Sequence, residues 1–141
     1  MLHFLIGGAI QFMNKLYAIA FISLLTTSSM AGDLAGSFKQ AVALAEAQPK
    51  DRATRVYSAI DLNDYYQQKY MPVFQSCLRS TDDTSQLSFV VAIGTDGRVL
   101  RLYADHETSM LACVRPTLQK DEFPHPPFAP YYMHVTMNFS K

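Results

Sequence analysis

Histidines and carboxylates are the residues of this chain whose types could bind a metal ion or catalyse a reaction. Beyond residue 31 the histidines are His106, His125 and His134. A zinc site would need several of them to converge with a carboxylate such as Asp105 or Glu107. None of the spacings typical of metal-binding motifs is present, so we interpret the three histidines as surface side chains. The sequence therefore predicts no metal and no cofactor.

Asp105, His106 and Ser109 are the residue types of a hydrolase triad and lie close together in the chain. Because Asp105 and His106 are adjacent, we expect that they do not face each other productively. Four other carboxylates are predicted in or near turns: Asp82, Asp83, Asp96 and Glu107. Turns lack the apolar surroundings that would raise a carboxyl pKa toward that of a general acid. We therefore predict that the protein is not an enzyme, with a hydrolase or a metal-dependent enzyme as an alternative.

Tyrosines are better candidates for function, because an apolar ring with a polar tip suits a half-exposed binding surface. Tyr65 and Tyr66 are neighbours in a predicted helix, so at least one of them should face solvent. Tyr132 and His134 occupy alternate positions of the last predicted strand, opposite to its apolar side chains. We predict these four as partner-binding residues. The alternative is that most tyrosines surround a small core.

The element expected to organise the fold is a β-hairpin between residues 87 and 103. A strand at 87–94 is followed by the Asp96-Gly97 turn and by a second strand from Val99, which is a strong local signal for a hairpin. Side-chain alternation gives the two strands one apolar face. The residues of that face are Leu87, Phe89, Val91, Ile93, Leu100 and Leu102.

A third strand and several helices complete the predicted fold. The strand covers 131–139 and follows a Pro-rich connector, 123–130, which cannot be a helix or a central strand. Helices are predicted at 32–48, 53–60, 65–70, 73–79 and 109–119. We expect a helix cap at 61–64, a break before Pro72, and a shortened or bent helix at Pro116. The fold class is thus α+β, with a small antiparallel three-stranded sheet packed against helices and extra N-terminal helices.

The first 31 residues have the pattern of a signal peptide. Asn14-Lys15 precede an apolar run, 16–25, and the small residues Ser29 and Ala31 are typical of a cleavage site after Ala31. A membrane anchor is the alternative, but only about ten apolar residues follow Lys15 and a spanning helix needs about 20. An internal start at Met13 would explain the length of the leader. We expect export to the periplasm, with no stable membrane anchor after cleavage.

Both cysteines of the chain, Cys77 and Cys113, follow the predicted leader. A pair of cysteines in an exported chain most simply forms one disulfide. We predict this bond between the helices before and after the hairpin, with two buried thiols as the alternative.

Charge and length limit the class of protein. Lys plus Arg and Asp plus Glu number 12 each, so no net charge favours nucleic acid or an anionic membrane. The length of 141 residues leaves room for one domain. We divide the chain into a signal peptide at 1–31, an N-terminal helical segment at 32–69 and an α+β core at 70–141.

Segments of the core occur in an order that is found in a known family. They are Tyr70-Met71-Pro72, Phe89-Val90-Val91, Thr95-Asp96-Gly97-Arg98-Val99 and Phe123-Pro124-His125-Pro126-Pro127 before the terminal strand. In this order they resemble the C-terminal domain of the TonB energy-transducer family. The resemblance implies a sheet with helices on one face and an edge that takes up a receptor peptide as an added strand. The chain differs from that family in its cysteine pair, its extra helices and the lack of a long Pro-rich spacer.

Together these patterns predict a non-catalytic periplasmic protein-binding module that binds either by β-augmentation at an open sheet edge or through the tyrosine-bearing helical surface. The partner would be another protein of the cell envelope. An immunity or inhibitor protein that blocks a cell-envelope toxin or enzyme is an alternative, because a small exported domain with a disulfide suits that role as well. An unpaired sheet edge also allows a homodimer.

Overall fold

A three-stranded antiparallel sheet forms the centre of the protein. The structure is a computed structural model that describes residues 33–83 and 85–139. The strands are β1 (Leu87–Ile93), β2 (Val99–Ala104) and β3 (Tyr131–Met137), with β1 between the other two. Helices pack against this small sheet, so the predicted α+β fold class is confirmed. The predicted signal peptide, 1–31, lies outside the described residues.

The helices precede the hairpin and connect β2 to β3. The first is α1 (Phe38–Glu46), which begins at Ser37, whose side chain accepts a hydrogen bond from the Gln40 N–H. A long helix follows, made of α2 (Arg52–Val56), a π-helical segment (Tyr57–Asp61), α3 (Leu62–Tyr65), a second π-helical segment (Tyr66–Tyr70) and α4 (Met71–Ser80). The last is α5 (Ser109–Gln119). Within the described residues no helix is both long and apolar enough to cross a membrane.

The long helix corrects the prediction of several shorter helices. The sequence predicts breaks at 61–64 and before Pro72, but helical backbone continues through both places. At the π-helical segments the hydrogen bonds reach one residue further back, and the Met71 N–H donates to the Tyr66 C=O. Pro72 is the second residue of α4, which directly follows the second of these segments, where the helix already departs from the i→i−4 hydrogen bonding that a proline would break. Pro116 likewise lies within α5 and does not end it.

Helices cover both faces of the sheet. On the inner face α4 and α5 pack against β1, and the buried residues there include Phe74, Met110, Val114, Leu87, Phe89 and Val91. On the outer face α1 packs with Ala41 close to Val90, Ala92 and Tyr132. The family resemblance implies helices on one face of the sheet only. The structure corrects this expectation, since β1 is buried on both sides.

Leu100 lies at a β-bulge and not in the core. The register between β1 and β2 skips Leu100, which is the extra residue between Val99 and Arg101. Its side chain is 49% exposed, whereas Leu102 packs against the core as predicted. The prediction that Leu100 continues the apolar face is therefore wrong, because the bulge shifts the side-chain alternation at this position.

The hairpin turn is joined to the segment that follows α5. Gly97 has a φ of 80°, which favours glycine. The Phe123 N–H donates a hydrogen bond to the Gly97 C=O at 2.8 Å. A Cβ atom on Gly97 would lie 2.0 Å from the Phe123 carbonyl oxygen, so only glycine allows the two backbones to come this close.

Cys77 of α4 and Cys113 of α5 form a disulfide, with their Cα atoms 5.9 Å apart. The pairing that the sequence predicts is therefore present, and it joins the two helices of the inner face. The division that we drew between residues 69 and 70 falls inside the long helix. Residues on both sides of that position pack around the same sheet.

Candidate functional site

The outer edge of β3 lies at the bottom of a groove. The strand order places β3 at one edge of the sheet, and no strand of the described residues pairs with its outer side. The groove has a volume of about 580 Å³. One wall is the end of α1 with the residues after it, and the other is the middle of the long helix. The lining residues include Glu46, Gln48, Leu62, Tyr66 and His134.

The backbone of β3 presents hydrogen-bonding groups to this groove at every second residue. In an antiparallel sheet the N–H and C=O of one residue point to the same side, and successive residues alternate. The side chain of Gln48 hydrogen-bonds both groups of Tyr132 from the groove side. The same alternation turns the N–H and C=O groups of His134 and Thr136 outward. Within the described part of the chain, nothing hydrogen-bonds these outward backbone groups.

The two edges of the sheet differ in their protection against another strand. The β2 edge carries the bulge at Leu100, and the exposed side chains of Arg98 and Arg101 lie beside or within that strand. Bulges and charged side chains are common means of preventing edge-to-edge pairing. By contrast, β3 has a regular register with β1 and contains no proline and no Asp, Glu, Lys or Arg. The β3 edge is therefore the one suited to accept a strand.

The wall formed by the long helix carries two large apolar or aromatic side chains, Leu62 and Tyr66, beside the polar Ser58 and Asn63. Leu62 and Tyr66 line the groove together with Met137 at the end of β3. The Tyr66 hydroxyl lies 3.7 Å from the Met137 sulfur, and burial raises the pKa of Tyr66 to about 12. Tyr66 thus stays uncharged at physiological pH, and this wall can contact an apolar side chain.

The opposite side of the groove is polar. His134 is exposed, and its Nε2 atom lies 3.1 Å from Ser88 Oγ and 3.3 Å from Thr136 Oγ1. The ring of Phe38 packs edge-on against the His134 imidazole, with the ring centroids 6.1 Å apart. Glu46 at the end of α1 is the one carboxylate among the lining residues, which include neither Lys nor Arg. This side therefore suits a positively charged group.

Three of the four predicted partner-binding residues line the groove: Tyr66, Tyr132 and His134. Tyr132 is only 4% exposed, however, because its side chain packs in the cluster beneath α1. Its hydroxyl accepts a hydrogen bond from the Ala35 N–H at 3.2 Å. The backbone of Tyr132 reaches the groove, whereas its ring holds α1 against the sheet.

The fourth predicted residue, Tyr65, lies outside the groove lining and contacts Asp121. Its hydroxyl is 2.8 Å from Asp121 Oδ1, and Lys69 and Tyr70 also donate hydrogen bonds to this carboxylate. Burial alone would raise the pKa of Asp121, but the hydrogen bonds from Lys69 and the tyrosines outweigh burial and lower it. This cluster connects the long helix to the segment after α5, which is a structural role.

In the part of the chain that the structure describes, the histidines, carboxylates and Ser109 do not assemble into a metal site or a catalytic triad. Among the described residues no three His, Cys, Asp or Glu side chains come together as a metal site. His106 Nδ1 lies 3.3 Å from Asp105 Oδ2, so these neighbours contact each other. Both are exposed, and the Ser109 N–H at the start of α5 donates to Asp83 at 3.0 Å. No hydrogen bond joins the Ser109 hydroxyl to His106 in the described structure.

Sequence reasoning did not identify Gln48, Glu46 or Leu62 as site residues. Gln48 reaches a strand 84 residues later in the chain, and no local pattern indicates such a contact. Leu62 precedes Tyr66 by four residues, which is the spacing of neighbours on one helix face. That signal would have placed Leu62 beside Tyr66 if the helix had been recognised as continuous.

Comparisons of the chain with protein-family models, with curated proteins and with solved structures found no match. The geometry of the groove and the chemistry of its lining are therefore the basis for a function.

Proposed function

We propose that the protein is a non-catalytic binding module of the cell envelope, which takes up an extended segment of another protein along β3. The observation that carries this proposal is the outer edge of β3, which pairs with no strand of residues 33–83 and 85–139 and lies at the bottom of an open groove. His134 and Thr136 each turn an N–H and a C=O toward the groove. A bound segment would add a fourth strand to the sheet, which is recognition by β-augmentation.

The lining of the groove defines the chemistry of the bound segment. Successive side chains of a strand point to opposite faces of the sheet. One set would lie beside Leu62 and Tyr66, and the other set would lie toward Glu46. The partner segment therefore carries apolar residues on one face and polar residues on the other, with a Lys or Arg to complement Glu46.

Three observations support a periplasmic location and this binding mode. The Cys77–Cys113 disulfide favours an oxidising compartment, because such bonds are rare in the cytosol. The signal-peptide pattern at 1–31 favours export. The resemblance to the C-terminal domain of TonB transducers favours the uptake of a peptide strand.

Substitutions at Thr136 test this proposal. Thr136→Pro removes one outward N–H and puts a ring at the edge, without removing a hydrogen bond to β1. Thr136→Val is the matched control, because it loses the hydroxyl but keeps the N–H. The oxidised protein is immobilised and exposed to a native envelope extract, and the retained proteins are quantified by mass spectrometry. We expect a partner that the wild type and Thr136→Val retain equally and Thr136→Pro retains about tenfold less.

Equal retention of every protein by the two variants would contradict binding at the β3 edge. If the retained partner is an enzyme that loses activity in the complex, the module is an inhibitor or immunity protein. A dimer in sedimentation experiments that Thr136→Pro dissociates would instead assign the edge to a second copy of the chain.

A further inference from the structure

Gln48 occupies the groove side of β3 at Tyr132. Its Oε1 atom accepts a hydrogen bond from the Tyr132 N–H at 2.6 Å, and its Nε2 atom donates to the Tyr132 C=O at 3.0 Å. Nε2 also donates to the Ala45 C=O at 3.2 Å, within α1. The carboxamide thus fills the place that one peptide group of a fourth strand would take.

We propose that the Gln48 side chain acts as an end-stop: it limits how far a bound strand can extend along β3 toward Tyr132. This inference rests on the strand uptake proposed above. Because Gln48 already satisfies the outward groups of Tyr132, those left for a partner belong to His134 and Thr136. The bound strand pairs with these two residues and ends against the Gln48 side chain. Gln48 is therefore a residue that determines specificity, since it sets the register and the length of the paired segment.

Two features hold Gln48 in this position. Pro49 restricts the residue before it to extended backbone conformations, and α1 is anchored on the sheet by the fully buried Ala41. A strand that displaced Gln48 would gain two hydrogen bonds to Tyr132 while the same two bonds from Gln48 were lost. Displacement therefore brings no net gain in hydrogen bonds.

A fixed register makes the groove selective for sequence. If the bound strand slipped by one residue, every side chain would move to the other face of the sheet. Its apolar side chains would then lie toward Glu46, and its basic residue would lie beside Leu62 and Tyr66. Because the end-stop fixes the register and the two walls differ chemically, the groove prefers peptides with one alternating pattern of apolar and polar residues.

The test uses the full oxidised chain and a phage-displayed library of random peptides of about nine residues. Peptides are selected on the wild type and counter-selected on Thr136→Pro. Amide hydrogen exchange is then followed by NMR in the wild type and in Gln48→Ala. We expect peptide binding to slow exchange at His134 and Thr136, and to leave Tyr132, which is already protected, unchanged.

Removal of the Gln48 carboxamide gives the decisive comparison. In free Gln48→Ala the Tyr132 amide should exchange at least about tenfold faster than in the wild type. A peptide lengthened by two residues toward Tyr132 should bind Gln48→Ala about tenfold more tightly than it binds the wild type. Gln48→Asn keeps the amide, but its side chain is one methylene shorter. If Gln48→Ala is poorly folded, Gln48→Asn replaces it, and we expect the same changes in Tyr132 exchange and in peptide binding.

Two outcomes would overturn the proposal, and they can be told apart. Equal binding of the lengthened peptide to the wild type and to both variants would remove the end-stop but leave strand uptake intact. A contact between the peptide and the Tyr132 N–H in the wild type would do the same. If no selected peptide protects His134 or Thr136 in any of these proteins, both the end-stop and the strand uptake are wrong.

Discussion

Asp121 is a nearly buried carboxylate whose charge contributes to the stability of the fold. Hydrogen bonds from Lys69, Tyr70 and Tyr65 lower its pKa although burial opposes this. In the unfolded chain the pKa of an aspartate is near 3.9. A pKa that is lower in the folded state gives stability that is fully present above the unfolded value. That stability is lost as the pH falls through the folded value.

We expect Asp121→Asn to reduce the free energy of unfolding at neutral pH by about 1–3 kcal/mol, because hydrogen bonds to the charge are lost. The loss should shrink as the pH is lowered below about 4, because the unfolded wild type takes up the proton there while the folded carboxylate stays charged until the pH is lower. Urea titrations between neutral and acidic pH measure both quantities. Asp82→Asn, at an exposed position, is the control. A difference between the wild type and Asp121→Asn that stays constant with pH would contradict the role assigned to this charge.

The same residue shows why single side chains were hard to assign from the sequence. The chain has 12 acidic residues, and nothing in the local pattern distinguishes Asp121 from Asp82 or Asp83. Its partners lie more than 50 residues earlier, on the long helix. Gln48 is a comparable case, since its role depends on the distance between α1 and β3 in the folded protein.

At the scale of elements, the bulge in β2 gives opposite expectations for two leucines. Leu100 is the extra residue of the bulge and is largely exposed, whereas Leu102 packs against the core. We expect Leu100→Lys to change the free energy of unfolding by no more than about 0.5 kcal/mol. Leu102→Lys should lower it by about 1–3 kcal/mol, because apolar burial is lost. Equilibrium unfolding in urea tests this pair, and equal effects of the two substitutions would contradict the observed register.

The strands were more predictable than the long helix for a physical reason. Alternation in β1 and β3 and the Asp96-Gly97 turn are local signals, and the structure has all three strands in the predicted order. In the long helix, Pro72 and the polar residues 61–64 have the local properties of helix ends. Tertiary packing of Tyr57 and Tyr70, both buried, keeps this region helical through its two π-helical segments.

At the scale of the whole molecule, α1 determines whether the sheet is covered on one face or two. The sequence contained a signal for the second face, because Val90 and Ala92 are apolar and alternate with the residues of the predicted apolar face. A strand that is apolar on both sides is typical of a sheet buried on both faces. α1 contributes alanines to this contact, and their small size allows the helix to lie close to the strands.

A charge at the contact between α1 and the sheet should separate the helix from the rest of the fold. We expect Ala41→Asp to detach α1, because a carboxylate without a partner is costly at a fully buried position. Ala43→Asp is the matched control, as Ala43 is exposed on the same helix. The inner-face core and the disulfide do not involve α1, so detachment should be a local opening.

Detachment of α1 has two measurable consequences. It uncovers Val90, Ala92 and the Tyr132 ring, so Ala41→Asp should bind an apolar dye more strongly than the wild type or Ala43→Asp. It also withdraws Gln48 from β3, so the Tyr132 amide should exchange faster while amides that pair β1 with β2 stay protected. If all amides lose protection together, α1 and the core unfold as one unit. In that case α1 could not detach from the outer face without unfolding of the β3 edge that we propose as the binding site.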